Sequence, residues 1–319
     1  MIEEPIFLVG AERSGTTLLK LMLSHHSQIA WCNEFEYAVD QISAEGIFPD
    51  LLAYYDWLDT HRIFQNTRFT IDKTLPYPQL VDSFLLQRKA AKPIIGATVH
   101  RHFDRLLSIW PEARFIHLIR DARDVANSCV GAGWAGNVWN GCERWQEAEL
   151  LWNNLDGHLT RATCSTSPRR ERYISITYEE LIYQYRETLT KLSEFLDVSY
   201  EEAMLDYPQN TTYSFPDKSL VYQWKKKLSN YEVQLVELRV GELLRERGYP
   251  LSGLPILNLS KLDLYKLNLQ NWSYCANFRR KKYGNYLFIN DYISRKLNLK
   301  KCQKTIKNQL NKIDNQKVK

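Results

Sequence analysis

Arg13, Ser14, Gly15, Thr16 and Thr17 stand together just after an apolar run, Ile6 to Val9, and a glycine, Gly10. The run reads as a buried parallel strand, Gly10 to Gly15 as a turn, and Thr16 onward as a helix. In that order, backbone N–H groups and a helix N-terminus converge on an anion. The spacing from Gly10 to Gly15 matches an ATP/GTP loop, but Thr16 stands where the lysine that serves a β/γ-phosphate belongs. Arg13, Ser14, Thr16 and Thr17 therefore suit one compact phosphate group. An ordinary strand–turn–helix corner is the plainer reading, and the density of anion ligands in Arg-Ser-Gly-Thr-Thr speaks against it.

A second segment, Arg114 to Ser128, repeats the pattern of strand, turn and helix, with Arg120 at the strand end and Ser128 eight residues later. Arginine offers a planar fork to phosphate oxygens, and serine donates from the first turns of the helix. Through these two motifs together, the chain resembles the sulfotransferases that use 3′-phosphoadenosine 5′-phosphosulfate (PAPS). Their 5′-phosphate loop commonly reads as residues 13–17 do here. The resemblance implies that Arg120 and Ser128 hold the 3′-phosphate, which distinguishes this nucleotide from ATP. It also implies a place near the adenine for Tyr178, in Tyr-Glu-Glu-Leu-Ile, where the alternative is a buried tyrosine at a helix start. Lys218, in Asp-Lys-Ser, matches a nucleotide-covering loop that usually reads Arg-Lys-Gly, so the match there is partial.

Sulfuryl transfer resembles phosphoryl transfer: in-line displacement with charge spread over equatorial oxygens. The protein must position the reactants, stabilise charge and deprotonate the acceptor, and no metal is required. The resemblance offers two bases. Glu34 lies 21 residues after Arg13, the distance of the catalytic glutamate in the tyrosylprotein branch; Glu36 is a weaker substitute. His100, in Ile-Gly-Ala-Thr-Val-His, falls where the cytosolic branch has its base. The bland readings are a solvated Glu34 and a satisfied core histidine. Both branches also carry a lysine where this chain has Thr98. His100, Arg101 or His102 can supply that charge, leaving Glu34 as base; Lys73 folding over the site is another source. Trp134 and Trp139, among glycines, are candidates for an acceptor pocket, whereas Trp145, Ala148 and Trp152 share a helix face and read as core.

Strands alternate with helices along the chain: Ile29 to Cys32, Ile94 to Val99, Arg114 to Ile119 and Tyr173 to Thr177 read as strands. Helices are expected across much of 41–92, at 102–109 and 143–163, and after the last strand to about 205. A final helix, Glu242 to Gly248, closes the matched region. This alternation implies an α/β fold, a P-loop NTPase-like parallel sheet flanked by helices. Ligands of such sheets sit beyond the carboxyl ends of the strands. Arg13, Glu34, His100 and Arg120 all follow strand-like runs and can meet there.

The 319 residues carry a net charge of +5, which hides an asymmetry. Residues 251–319 hold 15 Lys/Arg against 3 Asp/Glu, whereas the rest hold 27 against 34. We therefore expect a sulfotransferase domain over 1–253 and a basic, helical C-terminal extension over 254–319. The extension is read as solvated, or as a site for an anionic partner or for homo-oligomer formation. Nucleic acid is not expected, because no recognition motif accompanies the charge. The six cysteines, at 32, 129, 142, 164, 275 and 302, form no C-x-x-C pair, so neither a zinc site nor a disulfide framework is indicated. With no signal peptide and no transmembrane run, a cytoplasmic enzyme is expected. Its acceptor would be a hydroxyl or amine on a small molecule, sugar or peptide. The alternatives are a P-loop kinase, disfavoured by Thr16, and a non-catalytic nucleotide-binding module, favoured by Thr98.

Overall fold

The computed structural model describes residues 1–163 and 171–316; Cys164 and the last three residues lie outside the described residues. The strands are β1 (Ile6–Val9), β2 (Ile29–Glu34), β3 (Ile94–Val99), β4 (Arg114–Ile119) and β5 (Tyr173–Thr177). They form one parallel sheet in the order β2-β3-β1-β4-β5. Strand β1 is central and wholly buried. Its period of two divides the core: Phe7 and Val9 join a cluster with Phe35, Phe84, Trp110 and Trp152 on one face. Ile6 and Leu8 pack on the other face with Leu19, Leu118, Ile176 and Leu181. Burying each such side chain contributes about 1.5–3 kcal/mol, so a strand apolar on both sides is stable only between two helical layers.

The helices before β3 are α1 (Thr16–Ser24), α2 (Leu51–Leu58), α3 (Arg62–Gln65) and α4 (Tyr77–Lys89). A 3₁₀ turn, Phe103–Ser108, stands where a helix over 102–109 was expected. His102 before it has φ 54, a left-handed start that does not begin an α-helix. After β4 come α5 (Ala122–Gly131), α6 (Val138–Gly141) and α7 (Glu143–Thr163), and after β5 come α8 (Tyr178–Tyr183) and α9 (Tyr185–Phe195). Trp145, Ala148 and Trp152 are buried along α7. Next are α10 (Trp224–Lys227) and α11 (Asn230–Glu246). Helix α11 begins twelve residues ahead of the expected Glu242, because Ser229 and Glu232 close a capping box there.

The basic segment forms two long helices, α12 (Lys261–Lys296) and α13 (Lys300–Gln316), with α12 broken at Gly284, φ 81. The first half of α12 docks on the body through the buried Leu267, whose carbonyl accepts from Asn137 Nδ2 at 2.8 Å. Helix α13 returns along the second half, where Asp314 accepts from Lys282 and Tyr283. It touches α2 and its neighbourhood through Lys304 with Asp56 and Asp59, Asn311 with the Thr60 carbonyl, and Asn315 with Asn66. Part of the positive charge is thus paired internally.

Candidate active site

The carboxyl ends of β1 to β4 bring the sequence candidates to one edge of the sheet. Gly10 has φ 138, and a Cβ there would lie 2.3 Å from the Leu118 carbonyl oxygen, so only glycine lets the loop leave β1 against β4. The loop turns through Arg13, φ 73, with Ser14 N–H donating to the Ala11 carbonyl at 3.2 Å. A non-glycine residue in the left-handed region costs of order 1–3 kcal/mol and persists only where the surroundings fix it. Gly15, φ 96, caps α1 without any side-chain hydrogen bond to the first turn, so the helix N-terminus is left free for an anion.

Arg13 Nε donates to Ser128 Oγ at 2.9 Å, joining the two motifs. Arg120 donates to the Arg13 carbonyl at 3.1 Å and the Leu220 carbonyl at 2.9 Å, and its guanidinium lies 4.3 Å from the centre of the Tyr178 ring. A cavity of about 520 Å³ opens here, lined by Arg13, Thr16, Thr17, Arg120, Ser128 and Tyr178 among others. Gly15 lies against Tyr178, whose ring would be 2.4 Å from a Cβ there. Two buried polar atoms beside it, Ser14 Oγ and Arg120 Nε, have no hydrogen-bond partner among the described residues. Buried donors are seldom left so, and both suit phosphate oxygens: the residues present fit a bisphosphate nucleotide. Lys218 is placed elsewhere; it is exposed, its Nζ is 5.7 Å from the Tyr183 ring, and it does not line this cavity.

On the other side of Thr16 lies a second constellation. Thr16 Oγ1 is 3.0 Å from His100 Nε2, and His100 Nδ1 is 2.7 Å from Glu36 Oε1. The same oxygen accepts from His100 N–H at 3.1 Å. Glu36 and His100 are both held away from solvent. Burial opposes charge on each, but their hydrogen bond and mutual attraction outweigh it: His100 is raised and Glu36 lowered from their ordinary values. Both directions favour the ion pair, and the ring's Nε2 faces the phosphate loop.

Glu34 sits at the end of β2, after a register shift between Cys32 and Glu34. The shift takes up one residue against β3 and re-aims the strand end. Crowding by protein and then the Glu36 charge raise the Glu34 carboxyl above its ordinary value, while His100 and Arg62 draw it down. Lys20 of α1 donates to Asn33 beside it at 3.1 Å. Thr98 is buried and its hydroxyl accepts from Trp31 Nε1 at 3.1 Å. Of the cations that could replace a lysine there, Arg101 is clamped on Asp40 by bonds of 2.8 and 2.6 Å. His102 is lowered, by burial first and then by Arg105. Lys73 lies over Tyr55, 5.7 Å from its ring. His100 alone contacts the loop. Glu36, a weaker substitute for Glu34 in the sequence, is the buried partner of His100; no local sequence signal marks that pairing, which spans 64 residues.

A second cavity, of about 640 Å³, reaches His100 from the side of Glu12, Arg101, His102, Arg144 and Glu147. Trp134 lies 5.4 Å from the guanidinium of Arg13, which lines the first cavity, and 5.3 Å from that of Arg144, which lines the second. Trp139 is half-buried instead and carries the Arg239 guanidinium at 5.2 Å. Among the described residues there is no group of three or more His, Cys, Asp or Glu that could hold a metal ion. No helix among them is long and apolar enough to cross a membrane.

A phosphate loop on a five-stranded parallel sheet, with a second arginine–serine pair beside it, defines a nucleotide-dependent transferase of the P-loop class. The family model described as "Sulfotransferase family" matches residues 5–202, and the chain belongs to that family. It is an enzyme of sulfuryl transfer with PAPS as donor, and the kinase and non-catalytic readings are not favoured. A Caenorhabditis briggsae protein named as a candidate protein-tyrosine sulfotransferase is 24% identical over 218 residues, 64% of this chain and 69% of that protein. Protein-tyrosine sulfotransferase 2 of Gallus gallus is 22% identical over 222 residues, 64% of this chain and 54% of that protein. The chain thus spans about half the length of the chicken relative. The sulfotransferase domain of the Synechococcus PCC 7002 olefin synthase shares the fold, with a TM-score of 0.55 at 18% identity over 80% of this chain and 98% of that one. The corresponding domain from the curacin biosynthetic pathway gives 0.52 at 18% identity over 78% and 99%.

Proposed function

We propose that this sulfotransferase modifies a hydroxyl, with the phenol of a peptide tyrosine as the leading acceptor, and that Glu34 and His100 carry the chemistry. The observation that carries the assignment is the buried Glu36–His100 pair, which sets a cation 3.0 Å from Thr16 of the phosphate loop. When bound, PAPS supplies the activated sulfuryl group. Arg13, Ser14, Gly15, Thr16 and Thr17 hold its 5′-phosphate, and Arg120 and Ser128 its 3′-phosphate, with Tyr178 near the base. Lys218 is proposed as a further contact through loop movement alone, since it lies over Tyr183 and does not line the cavity here. His100 stabilises charge that develops on the leaving side. Glu34, its carboxyl raised above the ordinary value by burial and then by Glu36, accepts the acceptor proton. The tyrosine reading is supported by the names of the relatives and by the open cavity beside His100.

Incubation with ³⁵S-labelled PAPS and a panel of tyrosine peptides, sugars, amines and small phenols tests this reading. Label on tyrosine peptides supports it; label on another class alone rejects the acceptor, and nucleotide binding without any transfer rejects the enzyme. Two further proposals have narrower support. A cytoplasmic location draws on the free state of Cys32, Cys129, Cys142, Cys275 and Cys302, and fractionation checks it. An anionic partner or a homo-oligomer draws on the charge of the C-terminal segment, and both should weaken with salt. A sulfotransferase domain over 1–253 with 254–319 as its extension is likewise our proposal.

A further inference from the structure

We propose that Trp134 is a positioning residue for Arg13 of the phosphate loop, and that the first half of α12 holds Trp134 in place. The C-terminal helices would then belong to the nucleotide site. The inference rests on the nucleotide-site reading above.

Trp134 lies on the short loop between α5 and α6 and is 44% exposed, so its own burial does not fix it. What fixes the loop is α12. Gly136 N–H donates to Asn271 Oδ1 at 2.7 Å, and Asn137 Nδ2 donates to the Leu267 carbonyl at 2.8 Å. Asn140 Nδ2 donates to Asn268 Oδ1 at 3.2 Å, and the Cys275 thiol donates to the Trp134 carbonyl at 3.7 Å. The Phe278 ring lies against Gly133, 2.4 Å from where a Cβ would stand. Four of these five contacts follow one stripe of the helix, at positions 267, 271, 275 and 278, the spacing that brings residues onto one face, with Asn268 beside it.

The loop, so held, presents the indole to the Arg13 guanidinium at 5.4 Å, within the range of a cation–π contact. Ser128 Oγ accepts from Arg13 Nε at 2.9 Å. Arginine loses rotamer freedom when it binds phosphate, and a side chain fixed beforehand loses less. Trp134 and Ser128 supply that fixing, one through a ring face and one through a hydrogen bond. A shift of the α12 stripe moves the Trp134 backbone and hence the guanidinium.

Calorimetric titration with adenosine 3′,5′-bisphosphate (PAP), together with PAPS saturation kinetics, tests the chain of contacts in the full-length protein. Trp134→Ala and Phe278→Ala should each weaken PAP binding about two- to fivefold, as loss of an exposed cation–π contact predicts. KM for PAPS should rise in step, while kcat at saturation stays within about twofold. Asn271→Ala should act in the same direction, and Trp134→Phe should restore most of the affinity because a ring face remains. Wild-type PAP affinity in Trp134→Ala, or a loss confined to kcat, overturns the inference. If Phe278→Ala does not fold, the Trp134→Ala and Trp134→Phe pair decides alone. A wild-type protein that fails to bind PAP refutes the nucleotide-site reading itself, and the inference with it.

Discussion

Glu36 grips His100 twice with one oxygen, accepting from the ring Nδ1 at 2.7 Å and from the backbone N–H at 3.1 Å. This double contact fixes the orientation of the ring and the direction of Nε2, which faces Thr16. The result is a histidine that keeps its proton where an unassisted one would lose it. A raised histidine contributes stability that is fully present below its unfolded value near 6.5 and is lost as pH rises through its folded value. Activity that needs the cation follows the same sense.

His100→Ala should therefore lower kcat by about a hundredfold, the scale of a lost preorganised charge stabiliser. His100→Lys should recover part of that loss, because charge rather than proton transfer is required. Glu36→Gln should move the alkaline fall of the rate toward lower pH. A pH–rate profile of each variant checks this; an alkaline limb unmoved in Glu36→Gln would remove His100 from the cation role.

The two phosphate clamps should behave as charge-assisted contacts. Arg13→Ala and Arg120→Ala are each expected to weaken PAP binding by about 1.5–3 kcal/mol, and Ser128→Ala by about 0.5–1.5 kcal/mol. ATP, which lacks a 3′-phosphate, should compete poorly. Equal affinities for ATP and PAP by calorimetry would contradict a two-phosphate site.

Glu179, next to Tyr178, offers a stability test. Its carboxyl accepts from Tyr249 Oη at 2.6 Å and from Asp121 N–H at 3.3 Å. Burial pushes it up to about 7 from 4.5. For a raised carboxyl the sign is the reverse of the usual salt-bridged case. The native state binds the proton more tightly, so stability falls as pH rises from the unfolded value to about 7. The loss approaches about 3 kcal/mol at most. Glu179→Gln should raise the melting temperature at pH 8 more than at pH 5. An equal change at both values would show that Glu179 does not titrate between them.

Much of the site was legible because its determinants are local. The glycines, arginine and hydroxyls of residues 10–17 act within one turn, and Arg120 and Ser128 within one helix start. The parallel sheet followed from apolar runs alternating with helical stretches. The pairing of Glu36 with His100 was not legible, because it depends on β2 and β3 being neighbours in the sheet. Neither was the docking of α12, whose contacts with 133–140 are chiefly backbone and amide hydrogen bonds. A tail rich in lysine carries its charge in its composition, and its packing only in three dimensions. Lys218 followed a partial motif, Asp-Lys-Ser, and the structure turns it toward Tyr183.

The central claim is that Glu34 takes the acceptor proton while the phosphate clamps and His100 hold the donor side. The most direct measurement is the rate of ³⁵S transfer from saturating PAPS to a tyrosine peptide by wild-type protein and by Glu34→Gln, with PAP affinity measured on both. The wild type should transfer label, Glu34→Gln should fall by about a hundredfold or more, and PAP affinity should be unchanged. Transfer at the wild-type rate in Glu34→Gln would contradict the claim and remove Glu34 from the role of base.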